Sequence, residues 1–210
     1  SLQYPIPDDR SDWYGLLSSY RNDLTEKITL TAGFDGRYYK GYHTEIIDNL
    51  LGGDYFLENQ SASKKLYYRP ANAVLKVGDK INYDNIGEIF WAGVFAQGEY
   101  NTEKWSAFLS ASLTGEVYKY HNPGGAPIDG KTVSEAKTFL PWSTKAGFNY
   151  KFNENHNVFV NGGYFTRAPF MNAVFANYNI LPVKGVSYEK IGTFELGYGF
   201  NNEYFNVTLN

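Results

Sequence analysis

Residues 105–117 read Trp-Ser-Ala-Phe-Leu-Ser-Ala-Ser-Leu-Thr-Gly-Glu-Val, and every second side chain is apolar or small. Trp105, Ala107, Leu109, Ala111, Leu113, Gly115 and Val117 fall on one face of an extended chain. Ser106, Ser110, Ser112, Thr114 and Glu116 fall on the other, with Phe108 as the exception. Side chains alternate across a strand, so this pattern predicts a two-faced ribbon. It is longer than an ordinary globular strand of roughly five or six residues. One apolar and one wet face over that length suit a strand that crosses a membrane as part of a closed barrel.

The same period recurs along the chain. Residues 28–42 place Ile28, Leu30, Ala32, Phe34 and Tyr38 opposite Thr29, Thr31, Asp35 and Arg37. Residues 88–100 alternate less cleanly, because Trp91 and Phe95 join Gln97 and Glu99 on the polar side. Residues 140–152, 158–168, 192–200 and 205–210 alternate again, and residues 12–21 do so poorly, with Leu16 and Leu17 on opposite faces. Short and long connections take turns between these segments. Residues 22–26, 101–103, 153–157 and 201–203 are built from Asn, Asp, Glu and Thr, the chemistry of tight hairpins. Long connections are expected near 43–87, 121–138 and 169–190. Tyr20, Tyr100, Trp105, Tyr150, Phe152 and Tyr204 gather beside the short turns, as an interfacial aromatic belt requires.

Composition agrees with this class and removes others. Aromatic residues reach 18%, with 19 Tyr and 15 Phe among 210 residues. Mean hydropathy is only -0.43, as expected when half of each strand is polar. No run approaches the roughly 18 apolar residues of a transmembrane helix. The chain has no Cys, which excludes a disulfide framework and thiolate metal sites. A net charge of -3 leaves no basic footprint for nucleic acid. Nothing after Ser1 reads as a signal segment, so an export signal is expected outside these residues. With short turns on the periplasmic side, the first strand descends from the exterior and the last one rises. That order predicts about eight up-and-down antiparallel strands of a larger barrel, with residues 1–210 as a partial β-barrel domain. A complete eight-stranded barrel is the alternative architecture.

Asn161-Gly-Gly-Tyr-Phe-Thr-Arg-Ala-Pro-Phe170 resembles the S-R-G/A-F-R-A-P strand end of TonB-dependent outer-membrane receptors, matching at Arg167, Ala168 and Pro169. Tyr188-Glu-Lys-Ile-Gly-Thr-Phe-Glu-Leu-Gly-Tyr198 resembles their P-E-x-x-x-x-Y-E-L-G strand, with Tyr188 in place of Pro and Phe194 in place of Tyr. Phe95-Ala96-Gln97 with Glu99-Tyr100 is similar to their F-A-Q-x-E-Y strand. The resemblance implies a barrel of roughly 22 strands around an N-terminal plug. It also implies partnership with outer-membrane lipid and the TonB complex. The implied activity is energised import of a scarce nutrient such as a siderophore, cobalamin, glycan or peptide. A passive porin or small barrel is the alternative. An outer-membrane barrel enzyme would need a rim cluster of Asp, His or Ser.

Candidate residues follow from these assignments. Asp35, Arg37, Glu99, Lys145, Arg167 and Glu195 are expected to face the lumen and the plug. Arg167 and Glu195, on neighbouring strands, are candidates for a pair bracing the wall. In the first long loop Tyr67, Tyr68, Arg69 and Tyr83 combine aromatic and guanidinium groups suited to ligand capture. Asp79, Asn82, Asp84 and Glu88 supply oxygen ligands, but not at the spacing of an EF-hand. No nucleophile motif, phosphate loop or zinc signature is present, so no catalytic residue, metal or cofactor is assigned.

Overall fold

The computed structural model describes residues 4–58, 68–70 and 72–210. The chain is all-β. Its strands are β1 (Tyr4–Pro7), β2 (Arg10–Asp23), β3 (Ile28–Asn49), β4 (Phe56–Glu58), β5 (Ala73–Leu75) and β6 (Lys80–Asn101). They continue with β7 (Trp105–His121), β8 (Lys137–Phe139), β9 (Trp142–Lys151), β10 (His156–Arg167), β11 (Glu189–Asn201) and β12 (Asn206–Leu209). The α-helix among the described residues is one turn, α1 (Met171–Val174). A ten-stranded antiparallel sheet runs β1-β3-β6-β7-β9-β10-β11-β12, with β2 also on β3 and β8 also on β7. The sheet is not closed. Among the described residues β2 pairs only with β3, and β12 only with β11.

Each short turn is organised by a side-chain acceptor near its start. Thr25 Oγ1 accepts from the Ile28 amide at 3.0 Å, and Thr102 Oγ1 from the Trp105 amide at 3.0 Å. Asn153 Oδ1 accepts from the His156 amide at 2.9 Å, and Asn202 Oδ1 from the Phe205 amide at 2.7 Å. Asn and Thr do this because their side chains mimic a backbone carbonyl two or three residues ahead. All four turns lie at one end of the sheet.

Register assigns the two faces. Phe34 lies opposite Val94, Val94 opposite Leu113, and Leu113 opposite Trp142, all on one face. Side chains on that face stay uncovered: Val94 is 57% exposed, Leu109 61%, Leu196 65% and Phe194 77%. It is bounded by aromatic contacts at two heights. Near the short turns Tyr100 stacks on Trp105, with centroids 4.8 Å apart. Toward the other end Tyr14 stacks on Tyr38 at 6.4 Å, and Trp142 meets Tyr164 at 5.4 Å.

The opposite face is polar, and its aromatic exceptions have a common cause. Phe95 faces Gly33, Phe108 faces Gly147 and Phe159 faces Gly197, each directly across a strand pair. In each pair the ring fills the space where the glycine would carry a β-carbon. An aromatic ring covering a cross-strand glycine restores packing that the glycine lacks. Trp91 instead lies opposite Arg37, whose guanidinium sits 4.5 Å from the ring centroid.

The structure corrects several expected boundaries. Residues 12–21 belong to β2, a full edge strand of 14 residues. Leu16 lies opposite Gly36 on the apolar face and Leu17 opposite Asp35 on the polar one. Strand β9 starts at Trp142 rather than residue 140. Pro141, which has no N–H to donate, intervenes, and its carbonyl accepts from the Thr114 amide at 2.9 Å. The largest difference is in the connection expected at 43–87. Strands β3 and β6 are each 22 residues long and run well past the apolar band. Beyond it no apolar face is demanded, so the alternation fades while the ladder continues. A small core of Ile47, Leu50, Leu75 and Ile81 packs this extension beneath the β4–β5 hairpin.

Candidate functional site

The long-connection end of the polar face holds a concavity lined from both the wall and a returning loop. The connection after β10 turns back over the polar side of the wall, carried by α1 and the short 3-10 turn Ala176–Tyr178. Val174, Phe175 and Ile180 are buried there against Tyr118, Tyr120 and Phe139. The Phe175 and Tyr120 rings stack at 5.6 Å. Gly87 permits the close approach, since a β-carbon there would stand 2.6 Å from Met171 Sδ.

Between the loop and the wall lies a cavity of about 420 Å³, within the usual range of small-molecule sites. Tyr39, His43, Asn85, Ile89 and Tyr120 line its wall side, and Met171, Asn172, Phe175, Asn177 and Tyr178 its loop side. The wall residues share a face by register: Tyr39 opposes Ile89, His43 opposes Asn85, and Gly87 opposes Tyr120. Asn85 is only 7% exposed, yet its side-chain amide makes no hydrogen bond among the described residues.

Two irregularities shape the mouth. Pairing of β3 with β6 shifts between Thr44 and Glu45, leaving Asn82 and Tyr83 with no opposite residue. Asn82 takes a left-handed φ of 59°, which Asn tolerates. Such bulges re-aim side chains, and Tyr83 here stacks on Tyr178 at 6.1 Å. Asn177 and Tyr178 also have positive φ, 55° and 58°. A bulky residue there is strained by about 1–3 kcal/mol. Asn122, itself buried, holds the strained turn by donating from Nδ2 to the Tyr178 carbonyl at 2.7 Å. Burial, with the nearby Asp9 and Glu45 carboxylates, raises the Tyr83 phenol above its ordinary value.

The residues singled out from sequence are dispersed around this frame. Asp35, Arg37, Glu99, Lys145, Arg167 and Glu195 share the polar face through the register of β3, β6, β9, β10 and β11. Arg37 Nε meets Asp35 Oδ1 at 3.2 Å, and Gln97 donates to Glu99 at 2.7 Å. Lys145 Nζ lies 5.1 Å from the Phe165 ring centroid. The expected Arg167–Glu195 pair does not form. Arg167 lies opposite Glu189 and bonds to it, while Glu195 lies opposite Asn161 and accepts from it at 3.0 Å.

In the first connection Tyr67 lies outside the described residues. Tyr68 is 62% exposed. Arg69 turns inward instead, with Nε 3.1 Å from Glu58 Oε2 and a hydrogen bond to the Lys80 carbonyl. Its role in the described structure is to neutralise Glu58, which is 1% exposed. The oxygen-rich set is divided among protein partners. Lys80 Nζ and Thr44 Oγ1 reach Asp84 at 2.7 and 2.8 Å, Asn82 bonds to Glu45, and Lys40 meets Glu88 at 3.0 Å.

Sequence reasoning missed the loop-side residues Met171, Asn172, Phe175, Asn177 and Tyr178. Their only early signal was amide and aromatic residues following the Arg-Ala-Pro strand end. A family model described as TonB dependent receptor-like, beta-barrel matches residues 2–210. No curated protein is similar enough in sequence to match the chain.

Proposed function

Because the chain belongs to the TonB-dependent receptor-like β-barrel family, we propose that it forms part of an outer-membrane receptor wall through which a scarce nutrient is imported with TonB-supplied energy. The family is one of outer-membrane transporters rather than enzymes. The observation that carries the reading is the uncovered apolar face between two heights of aromatic contacts. An apolar surface of that extent is not stable against water but suits lipid. The open edges of β2 and β12 suit a wall continued by further strands, since an unpaired edge is costly in hydrocarbon.

In this reading the short turns are periplasmic and the cavity opens outward. Asp35, Arg37, Glu99, Lys145, Arg167 and Glu195 face a plug domain or luminal water. Tyr83 stands at the ligand mouth through its stacking on Tyr178, and Tyr67, Tyr68 and Arg69 remain sequence candidates of the first connection. The test is made on the full-length protein. It should fractionate with the outer membrane and remain closed in planar bilayers. Nutrient-dependent growth should be lost when the TonB complex is removed. A steady open conductance, independent of TonB, would overturn the reading in favour of a passive porin.

A further inference from the structure

The cavity between the wall and the returning loop has a donor set that discriminates among nutrient classes. No Asp, Glu, Lys or Arg is among its described lining, and His43 lies 3.4 Å from Asp9. An anionic chelate or phosphate ester needs Arg or Lys for charge-assisted hydrogen bonds. An anionic ligand is therefore disfavoured by what the lining lacks.

The lining offers amides and aromatic faces. Asn85 on the wall, and Asn172 and Asn177 on the loop, point three carboxamides at one space. None of the three makes a side-chain hydrogen bond among the described residues. Asn85 is the buried one of the three, and because buried polar groups are normally satisfied, its amide without a protein partner is a vacancy for a ligand or water; Asn172 and Asn177 add exposed amides on the loop side. Each carboxamide both donates and accepts, as a hydroxyl does, and can bridge two adjacent hydroxyls. Tyr39, Tyr120 and Tyr178 add aromatic rings, each backed on one side by Trp13, Phe175 and Tyr83 respectively, and the negative quadrupole of a ring's other face attracts the C–H face of a saturated ring. Strain at Tyr178 is placed where its side chain lines the cavity.

We infer that this cavity binds an uncharged polyhydroxylated ring, a sugar unit of a mono- or oligosaccharide, through Asn85, Asn172 and Asn177 with Tyr178 stacked on it. The inference rests on the reading that the cavity is the receptor's ligand mouth, and it narrows that mouth to one substrate class. The volume of about 420 Å³ holds one or two pyranose rings.

The test is saturation-transfer NMR on the full-length receptor in detergent micelles. The probes are glucose, galactose, mannose, xylose, fructose and N-acetylglucosamine, each also as a short oligosaccharide, with ferric citrate and glucuronate as anionic comparators. Transfer to at least one neutral sugar is expected, falling at least fivefold in Asn85→Leu and in Tyr178→Ala. Asn172→Ala, on the exposed side of α1, should weaken the same signal and serves if Asn85→Leu does not fold. The inference is overturned if none of the neutral sugars receives saturation. It is equally overturned if the signal survives all three substitutions, or if an anionic comparator binds and is lost with them. A sugar that binds in this way but is not taken up under energised conditions overturns the transport reading and leaves the ligand class standing. TonB-dependent uptake of another nutrient without sugar binding overturns the ligand class alone.

Discussion

The ring of Phe159 on β10 occupies the space in which Gly197 on β11 would carry a β-carbon. Replacing Gly197 by Val therefore forces the ring off its neighbour. Overpacking of this kind destabilises by about 1–3 kcal/mol. The temperature at which the folded full-length barrel loses its compact electrophoretic mobility should fall accordingly. Gly192→Ala, where a β-carbon meets nothing within 4 Å, is the matched control and should leave it unchanged.

The two faces of β7 should answer a charge in opposite ways. Leu109 lies on the uncovered apolar face and Ser110 on the polar one. Leu109→Arg should destabilise the folded barrel by about 2–4 kcal/mol if lipid covers that face, and Ser110→Arg by little. Equal effects in a lipid-reconstituted unfolding titration would remove the membrane orientation.

Arg69 separates a structural from a ligand-capturing role. Its removal leaves Glu58, 1% exposed, as a buried uncompensated charge. Breaking such a pair from one side typically destabilises by about 3–5 kcal/mol. Arg69→Ala should raise hydrogen exchange across the β4–β5 hairpin while the short-turn end is unaffected. Loss of nutrient uptake with hairpin exchange unchanged would instead make Arg69 a direct ligand contact.

Gly87 sets the closure of the mouth. Gly87→Val drives a side chain into Met171 and should lift the loop from the wall. On intact cells, protease should then cleave within residues 169–190 faster than in the wild type. An unchanged cleavage rate would mean the loop is held by Val174 and Phe175 alone.

Glu88 gives the rim a pH dependence. Burial by itself raises its carboxyl, but the hydrogen bond from Lys40 and the neighbouring His121 outweigh this and hold it below the ordinary carboxylate value. A depressed folded-state value contributes stability above the unfolded value and loses it as pH falls through the folded one. Acidification below the ordinary carboxylate range should therefore loosen the β3–β6 extension in hydrogen exchange. Glu88→Gln should flatten that dependence while remaining less protected at neutral pH.

Much of the wall was legible without coordinates. In the strand from Trp105, every residue meets either the apolar or the polar side, so the requirement is imposed one residue at a time and leaves a period of two. The short turns were legible for a similar reason, since Thr25, Thr102, Asn153 and Asn202 each act within three residues of their own position. Phe95 and Phe108 blurred the pattern because their partners, Gly33 and Gly147, lie on other strands. Arg167 and Glu195 read only as candidates for a pair, because strand adjacency is readable in the sequence and register is not. The ladder places Glu189 opposite Arg167 instead.

By itself, then, the sequence determined the class, the two faces and the end at which the chain turns tightly. Those follow from local forces: alternation against a two-sided environment, and side chains that cap their own turns. Only the tertiary structure decided how far β3 and β6 continue, where Arg69 points, and that residues 169–190 return over the polar face. The bond from Asn122 to Tyr178 joins positions 56 residues apart. No periodicity carries such a contact, because it depends on the register of several strands at once and on a loop path set by its buried Val174 and Phe175.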